Sequence, residues 1–231
     1  MEHDRHAAAE IVRPEDPRPT VEDRVTRTKE FEALYENVAD PWNISKRAPY
    51  YATVWSWILG ELRQKPQSAE DVGCGVGSFL HALKRVAPEV RPSGLEYSAR
   101  AAESARKLTG MKIRIGDIRQ APAFDAGTPC DLVALNDVLT YLGDEWRLGL
   151  THCLRFLRPR YAVISWSDSP DDWFPAYSNE VYTWSGGCAR LYLVAQHTFD
   201  LPADLGWVVC QRFALYRVAY GCVGAPTPVA G

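Results

Sequence analysis

Glu70-Asp71-Val72-Gly73-Cys74-Gly75-Val76-Gly77-Ser78-Phe79-Leu80 is the stretch whose reading decides the fold. It reads as the end of a buried strand, a glycine-rich turn and the first turn of a helix. Glycine has no Cβ and adopts positive φ freely, so a turn of this kind lets backbone approach a ligand closely. Asp71 sets a carboxylate at the strand end beside that turn. The pair suits a ligand carrying a cation and ribose hydroxyls better than a pyrophosphate. The dinucleotide fingerprint GxGxxG is the nearest competitor, but here Gly77 comes one residue early and Ser78 follows it.

Working outward, strands are predicted near 68–72, 91–96, 112–116, 131–136 and 160–166. Helices are predicted near 77–87, 98–108 and 143–157, with Pro88 and Pro159 as stops. Such alternation calls for a parallel sheet covered by helices on both faces. Three further strands, 181–185, 189–199 and 207–218, follow one another and suit an antiparallel edge. Upstream, Val21, Val25, Phe31, Leu34, Tyr35 and Val38 mark one helix. Tyr50, Val54, Trp57, Ile58 and Leu62 mark another, over about 46–64. The chain divides into a loose arm (1–19, with Pro14, Pro17 and Pro19), a helical cap (20–66), an α/β core (67–220) and a turn-rich tail (221–231).

Ligands of an open α/β sheet sit beyond the carboxyl ends of its strands. The second strand ends in Glu96, 19 residues after Gly77, where a carboxylate accepts hydrogen bonds from both hydroxyls of a ribose. The third leads to Asp117 and Ile118, an acceptor for an exocyclic amine and an apolar face for a ring. The fourth ends in Asn136 and Asp137, polar residues after a buried run.

Composition narrows the classes. The chain has 231 residues, 46% of them hydrophobic, with 26 basic against 29 acidic side chains. No block of like charge provides a nucleic-acid footprint. No run of 18 or more apolar residues provides a membrane span, and Met1 to Arg18 has no apolar core of a secretion signal. The six cysteines show no metal-ligand spacing, so reduced thiols in a cytoplasmic protein are expected, with no metal. Arg-rich, Ala-rich usage is what a GC-rich bacterial genome produces.

The four strand-end stations, in order across 68–166, resemble the class I S-adenosylmethionine (SAM)-dependent methyltransferases. The resemblance implies a Rossmann-like, seven-stranded, mostly parallel sheet of order 3-2-1-4-5-7-6 with an N-terminal helical cap. It implies SAM as cofactor, lined by Asp71, Gly73, Gly75, Gly77, Glu96, Asp117, Ile118 and Asn136. Ala39-Asp40-Pro41-Trp42-Asn43 and Asn136-Asp137-Val138-Leu139-Thr140-Tyr141-Leu142 further resemble the nodulation-type small-molecule N-methyltransferases, which adds Trp42 to the cofactor set. Tyr51 departs from that pattern, standing where an acidic residue is expected.

The expected activity is methyl transfer to a nitrogen or oxygen of a small-molecule acceptor, possible products of specialised metabolism included. The alternatives are non-methyl transfer on the same fold or a catalytically idle interaction module. Asp137 and His152 are the candidate catalytic groups, His152 weighed against a plain helix histidine, and Asp168 is a further candidate base. Tyr35, Tyr50, Tyr51, Tyr141 and Trp166 are the candidate acceptor-binding residues, weighed against packing. The partner is the methyl acceptor, with no nucleic acid and no membrane. Oligomeric state is left open.

Overall fold

The computed structural model describes residues 33, 35, 38, 40, 44–124, 129–167, 180, 181, 185, 186, 189–200 and 210–221. The structure joins eight strands in one sheet of order β3-β2-β1-β4-β5-β8-β7-β6. These are β1 (Ser68–Val72), β2 (Arg91–Glu96), β3 (Ile113–Ile115), β4 (Leu132–Asn136), β5 (Tyr161–Ser167), β6 (Ser185–Gly186), β7 (Ala189–Asp200) and β8 (Cys210–Tyr220). Strands β1 to β5 are parallel, while β8 runs antiparallel to β5 and to β7. The arrangement is the expected 3-2-1-4-5-7-6, with β8 and β7 in its last two places and a two-residue β6 added at the edge. The expected strand over 181–185 is corrected at its start, where Val181 is helical; Ser185–Gly186 pairs with β7, and residues 182–184 lie outside the described residues.

Among the described residues, the helices α1 (Ala48–Glu61), α2 (Ser78–Val86), α3 (Ala99–Thr109) and α4 (Trp146–Leu157) cover the sheet. Pro49 stands in the first turn of α1, where its missing N–H costs no hydrogen bond. Strand alternation sorts the core into two layers. Leu132 and Ala134 of β4, Val163 of β5, and Phe213 and Leu215 of β8 pack against α1 and α2. The alternate residues Val133, Leu135, Ala162, Ile164, Ala214 and Tyr216 pack against α4. On the α1 side Trp55 is 1% exposed, stacks on Phe79 at 4.5 Å and donates its indole N–H to the Phe79 carbonyl at 2.8 Å. That contact binds α1 to α2, the helix that the glycine turn begins.

β1 also carries a buried charge pair on the α4 side. Arg114 of β3 meets Glu70 at 2.6 Å, Ser93 donates to the same carboxylate, and a second Arg114 nitrogen donates to the Ala123 carbonyl at 3.0 Å. Cross-strand satisfaction of this kind is what permits a charge inside a sheet.

Candidate functional site

The glycine turn is held open by backbone geometry. Gly73, Gly75 and Gly77 have φ of 76°, 53° and 86°, in the left-handed region that side chains disfavour. A Cβ on Gly73 would stand 2.4 Å from Val138 Cγ2, so the missing side chain is what lets the turn after β1 lie against the turn after β4. Gly77, at the N-terminus of α2, would bring a Cβ to 3.0 Å of Ala105 and Thr109 of α3.

Glu96 crosses to this turn from β2. One carboxylate oxygen accepts from Gly75 N–H at 2.7 Å and the other from Ser98 N–H at 2.9 Å. The carboxylate is therefore fixed at the gap between β1 and β2.

Asp71 is 1% exposed, and neither of its carboxylate oxygens has a hydrogen-bond partner. Burial first, then the Glu96 and Glu70 charges, push its carboxyl well above the ordinary carboxylate value. A carboxylate so placed calls for a cation or donor brought by a ligand. This is the observation of the structure that best fits a positively charged cofactor.

Across from the turn, a polar network closes the ends of β4, β5 and β8. Asn136 Oδ1 accepts from Ser165 Oγ at 2.8 Å and from Gln211 Nε2 at 2.9 Å, while its amide donates to Tyr51 at 3.4 Å. Gln211 Nε2 lies 2.6 Å from Asp137 Oδ2, and Tyr50 donates to Gln211 Oε1 at 3.1 Å. Asp137 has φ 56° and donates its N–H to Ser165 Oγ at 3.0 Å. Aspartate tolerates the left-handed region better than most residues, and the turn re-aims its side chain out of the strand direction. Buried Arg47, just before α1, faces Tyr50 and Tyr51. Burial raises both phenols, Tyr51 to about 12, so they stay protonated donors at neutral pH.

The other candidate residues fall around this centre. Tyr35 is buried with Val76 and Ala101 beside the glycine turn, within electrostatic range of Glu96 and Tyr141. Tyr141 is 44% exposed on the 3-10 turn after β4. Asp117 is chelated by Arg119, whose guanidinium also reaches Glu145 at 3.1 Å. Ile118 is buried in the α4-side core. His152 Nδ1 lies 3.1 Å from the Ile118 carbonyl, so that nitrogen carries the proton and donates. Its ring meets Phe124 and Phe156 edge-on. His152 is thus a hydrogen-bonded helix histidine on the α4 side, away from the Asn136–Asp137 network. Trp166 is fully buried in that same α4-side core with Val181, Leu191 and Tyr216. Strand alternation turns it away from Ser165, and it packs rather than lines the crevice. Trp42 and Asp168 lie outside the described residues.

Three contributors were not picked out from the sequence: Arg47, Ser165 and Gln211. Ser165 and Gln211 left a weak trace, as polar residues in phase with the apolar positions of β5 and β8. Among the described residues no group of three or more His, Cys, Asp or Glu is placed to hold a metal ion. Among them, too, no helix is long and apolar enough to cross a membrane.

Comparison with known proteins agrees with this geometry. Residues 70–160 match the family described as "Methyltransferase domain". A demethylmenaquinone methyltransferase of Thermotoga maritima is 26% identical over 136 residues, 57% of this chain. The chain spans 58% of that relative's length. Among solved structures, magnesium protoporphyrin IX methyltransferase from Synechocystis with bound SAM superposes with a TM-score of 0.58 at 14% identity, covering 83% of this chain and 96% of the other. A Haemonchus contortus phosphoethanolamine N-methyltransferase, in complex with phosphoethanolamine and S-adenosylhomocysteine, gives 0.61 at 18% identity, covering 91% and 52%. The fold is that of the class I SAM-dependent methyltransferases.

Proposed function

We propose that this chain is a SAM-dependent methyltransferase acting on a nitrogen or oxygen of a small-molecule acceptor, with nitrogen ahead. The observation that carries the cofactor half is the orphaned, enclosed Asp71 carboxylate beside a left-handed glycine turn that Glu96 holds by its Gly75 N–H. When bound, SAM supplies a methyl group already activated on a sulfonium, so the protein's work is alignment and exclusion of water.

The residues divide that work by position. Glu96 would accept from the ribose hydroxyls, with Gly73, Gly75 and Gly77 giving the backbone close approach. Asp117 and Ile118 would border the adenine. Asp71 and Asn136 would face the methionine part, with Trp42 of the cap beside it. Asp137, at the mouth of the crevice, would orient the acceptor by taking a hydrogen bond from its N–H or O–H. Tyr35, Tyr50, Tyr51 and Tyr141 supply aromatic walls, which also favour a cationic sulfonium. Residues 20–66 act as the cap, 67–220 as the catalytic core, and 1–19 and 221–231 as arms outside it, in a bacterial cytoplasmic enzyme.

The acceptor reading draws support from structural neighbours that act on small molecules, a porphyrin and phosphoethanolamine among them, and from the nodulation-type likeness of residues 39–43 and 136–142. A panel of amine, phenol and carboxylate acceptors incubated with methyl-labelled SAM tests it. Label transfer to an amine is the expected result. Label on protein or RNA alone, with none on any small acceptor, would contradict it.

A further inference from the structure

We propose that Gln211 is the positioning residue for Asp137, holding its carboxylate in the charged, accepting form, and that Tyr50 on the cap helix anchors the other end of the Gln211 amide. The proposal rests on the reading of Asp137 as the group that orients the acceptor. Gln211 is fully buried near the start of β8, in phase with Phe213 and Leu215, a position where strand alternation otherwise places core residues. Its Nε2 lies 2.6 Å from Asp137 Oδ2, 2.9 Å from Asn136 Oδ1 and 3.1 Å from Ser165 Oγ, and its Oε1 lies 3.1 Å from the Tyr50 hydroxyl.

The two ends of a carboxamide have nearly the same shape, so chemistry decides their orientation. An ionised Asp137 and the Asn136 carbonyl oxygen only accept. Turning the amide over would set Oε1 against both and lose two hydrogen bonds. The Tyr50 hydroxyl can donate or accept, but its burial-raised phenol keeps a proton to give, and it gives it to Oε1. Nε2 has two protons, and Asp137 and Asn136 take them. Ser165 Oγ already accepts Asp137 N–H and donates to Asn136, so it completes the cage without competing for a proton.

Asp137 thus has its side chain and its backbone fixed by two different strands, β8 and β5. A hydrogen bond donated to the charged form of a carboxyl lowers its pKa. Among the described residues, Tyr50 and Tyr51 lie within electrostatic range of Asp137 and of Arg47. The two phenols stay neutral, and the Gln211 amide donates to the carboxylate.

The test needs no acceptor. The full chain is labelled with aspartate carrying ¹³C at the side-chain carboxyl, and Asp137→Asn identifies the Asp137 resonance. Its titration midpoint is then compared in wild type, Gln211→Leu, Gln211→Glu and Tyr50→Phe, with melting cooperativity and S-adenosylhomocysteine affinity measured alongside. Gln211→Leu should raise the midpoint by about one pH unit, and Gln211→Glu by more, since two carboxylates then face each other. Tyr50→Phe should raise it by less. Should the leucine variant fail to fold, the near-isosteric glutamate variant carries the measurement. An Asp137 midpoint unmoved in a folded Gln211 variant overturns the proposal. Failure of the wild-type chain to bind S-adenosylhomocysteine would overturn the proposed function and the role of Asp137 in transfer, a result read independently of the titration.

Discussion

Asp71 and Gly73 sit two positions apart and are constrained for opposite reasons. The Asp71 carboxyl is held above its ordinary value by burial and neighbouring acids, so ionising it costs the folded state. Its sign follows from proton counting. Below the unfolded value of about 4 both states hold the proton, and above it the unfolded state gives the proton up first. Stability from this residue is therefore present at low pH and lost as pH rises. Asp71→Asn should stabilise the ligand-free chain by about 1–3 kcal/mol at pH 8 and by little at pH 4, seen as melting temperatures at the two values. The same change should weaken S-adenosylhomocysteine. Gly73→Ala acts on geometry instead: at φ 76°, with Val138 Cγ2 2.4 Å from the new Cβ, it should destabilise by about 1–3 kcal/mol in denaturant titration. The positions of Asp71 and Glu96 could be anticipated because a strand end followed by glycines fixes where a carboxylate lies. Gln211 could not, because its function depends on β8 returning beside β5, a pairing between distant parts of the chain. Trp166 and Ser165 show the same limit in miniature: neighbours in sequence, they face opposite layers, and only strand register says which one reaches the crevice.

At the scale of elements, the sequence boundaries of β1 and β2 coincide with the observed ones, and the helices shift by a few residues at their ends. β4 and β5 were legible as largely apolar runs, β1 from the glycine turn that follows it, and the helices from their periodicity and the proline stops. The late edge was harder: Val181 is helical, since valine favours a strand only where a neighbour is available to pair. The cap helix α1 owes its place to side-chain burial. Trp55 stacks on Phe79 and bonds to its carbonyl, so it ties α1 to α2 just after the glycine turn. Trp55→Ala should cost about 3–5 kcal/mol in global stability. It should also loosen S-adenosylhomocysteine binding through α2, whereas Trp57→Ala, on the half-buried side of α1, should spare it. Calorimetric melting with parallel binding isotherms separates the two effects.

For the whole molecule, the sheet is both the scaffold and the wall of the site, and its two faces carry different electrostatics. On the α4 side Glu70 is matched by Arg114 and Ser93 and is fully employed in structure. One residue on, toward α1, Asp71 has no such partner. Breaking the matched pair leaves a charge stranded inside the sheet, so Arg114→Met should destabilise by about 3–5 kcal/mol. The double change Arg114→Met with Glu70→Leu should recover much of that loss in the same denaturant titration. The central claim is that the ends of β1 and β2 hold SAM between Asp71 and Glu96. Isothermal titration of the full chain with S-adenosylhomocysteine tests it most directly: micromolar binding in wild type, lost in Glu96→Ala and Gly75→Val, with no heat from NAD, is the predicted result. Undiminished affinity in both variants, or binding of NAD in place of S-adenosylhomocysteine, would contradict it.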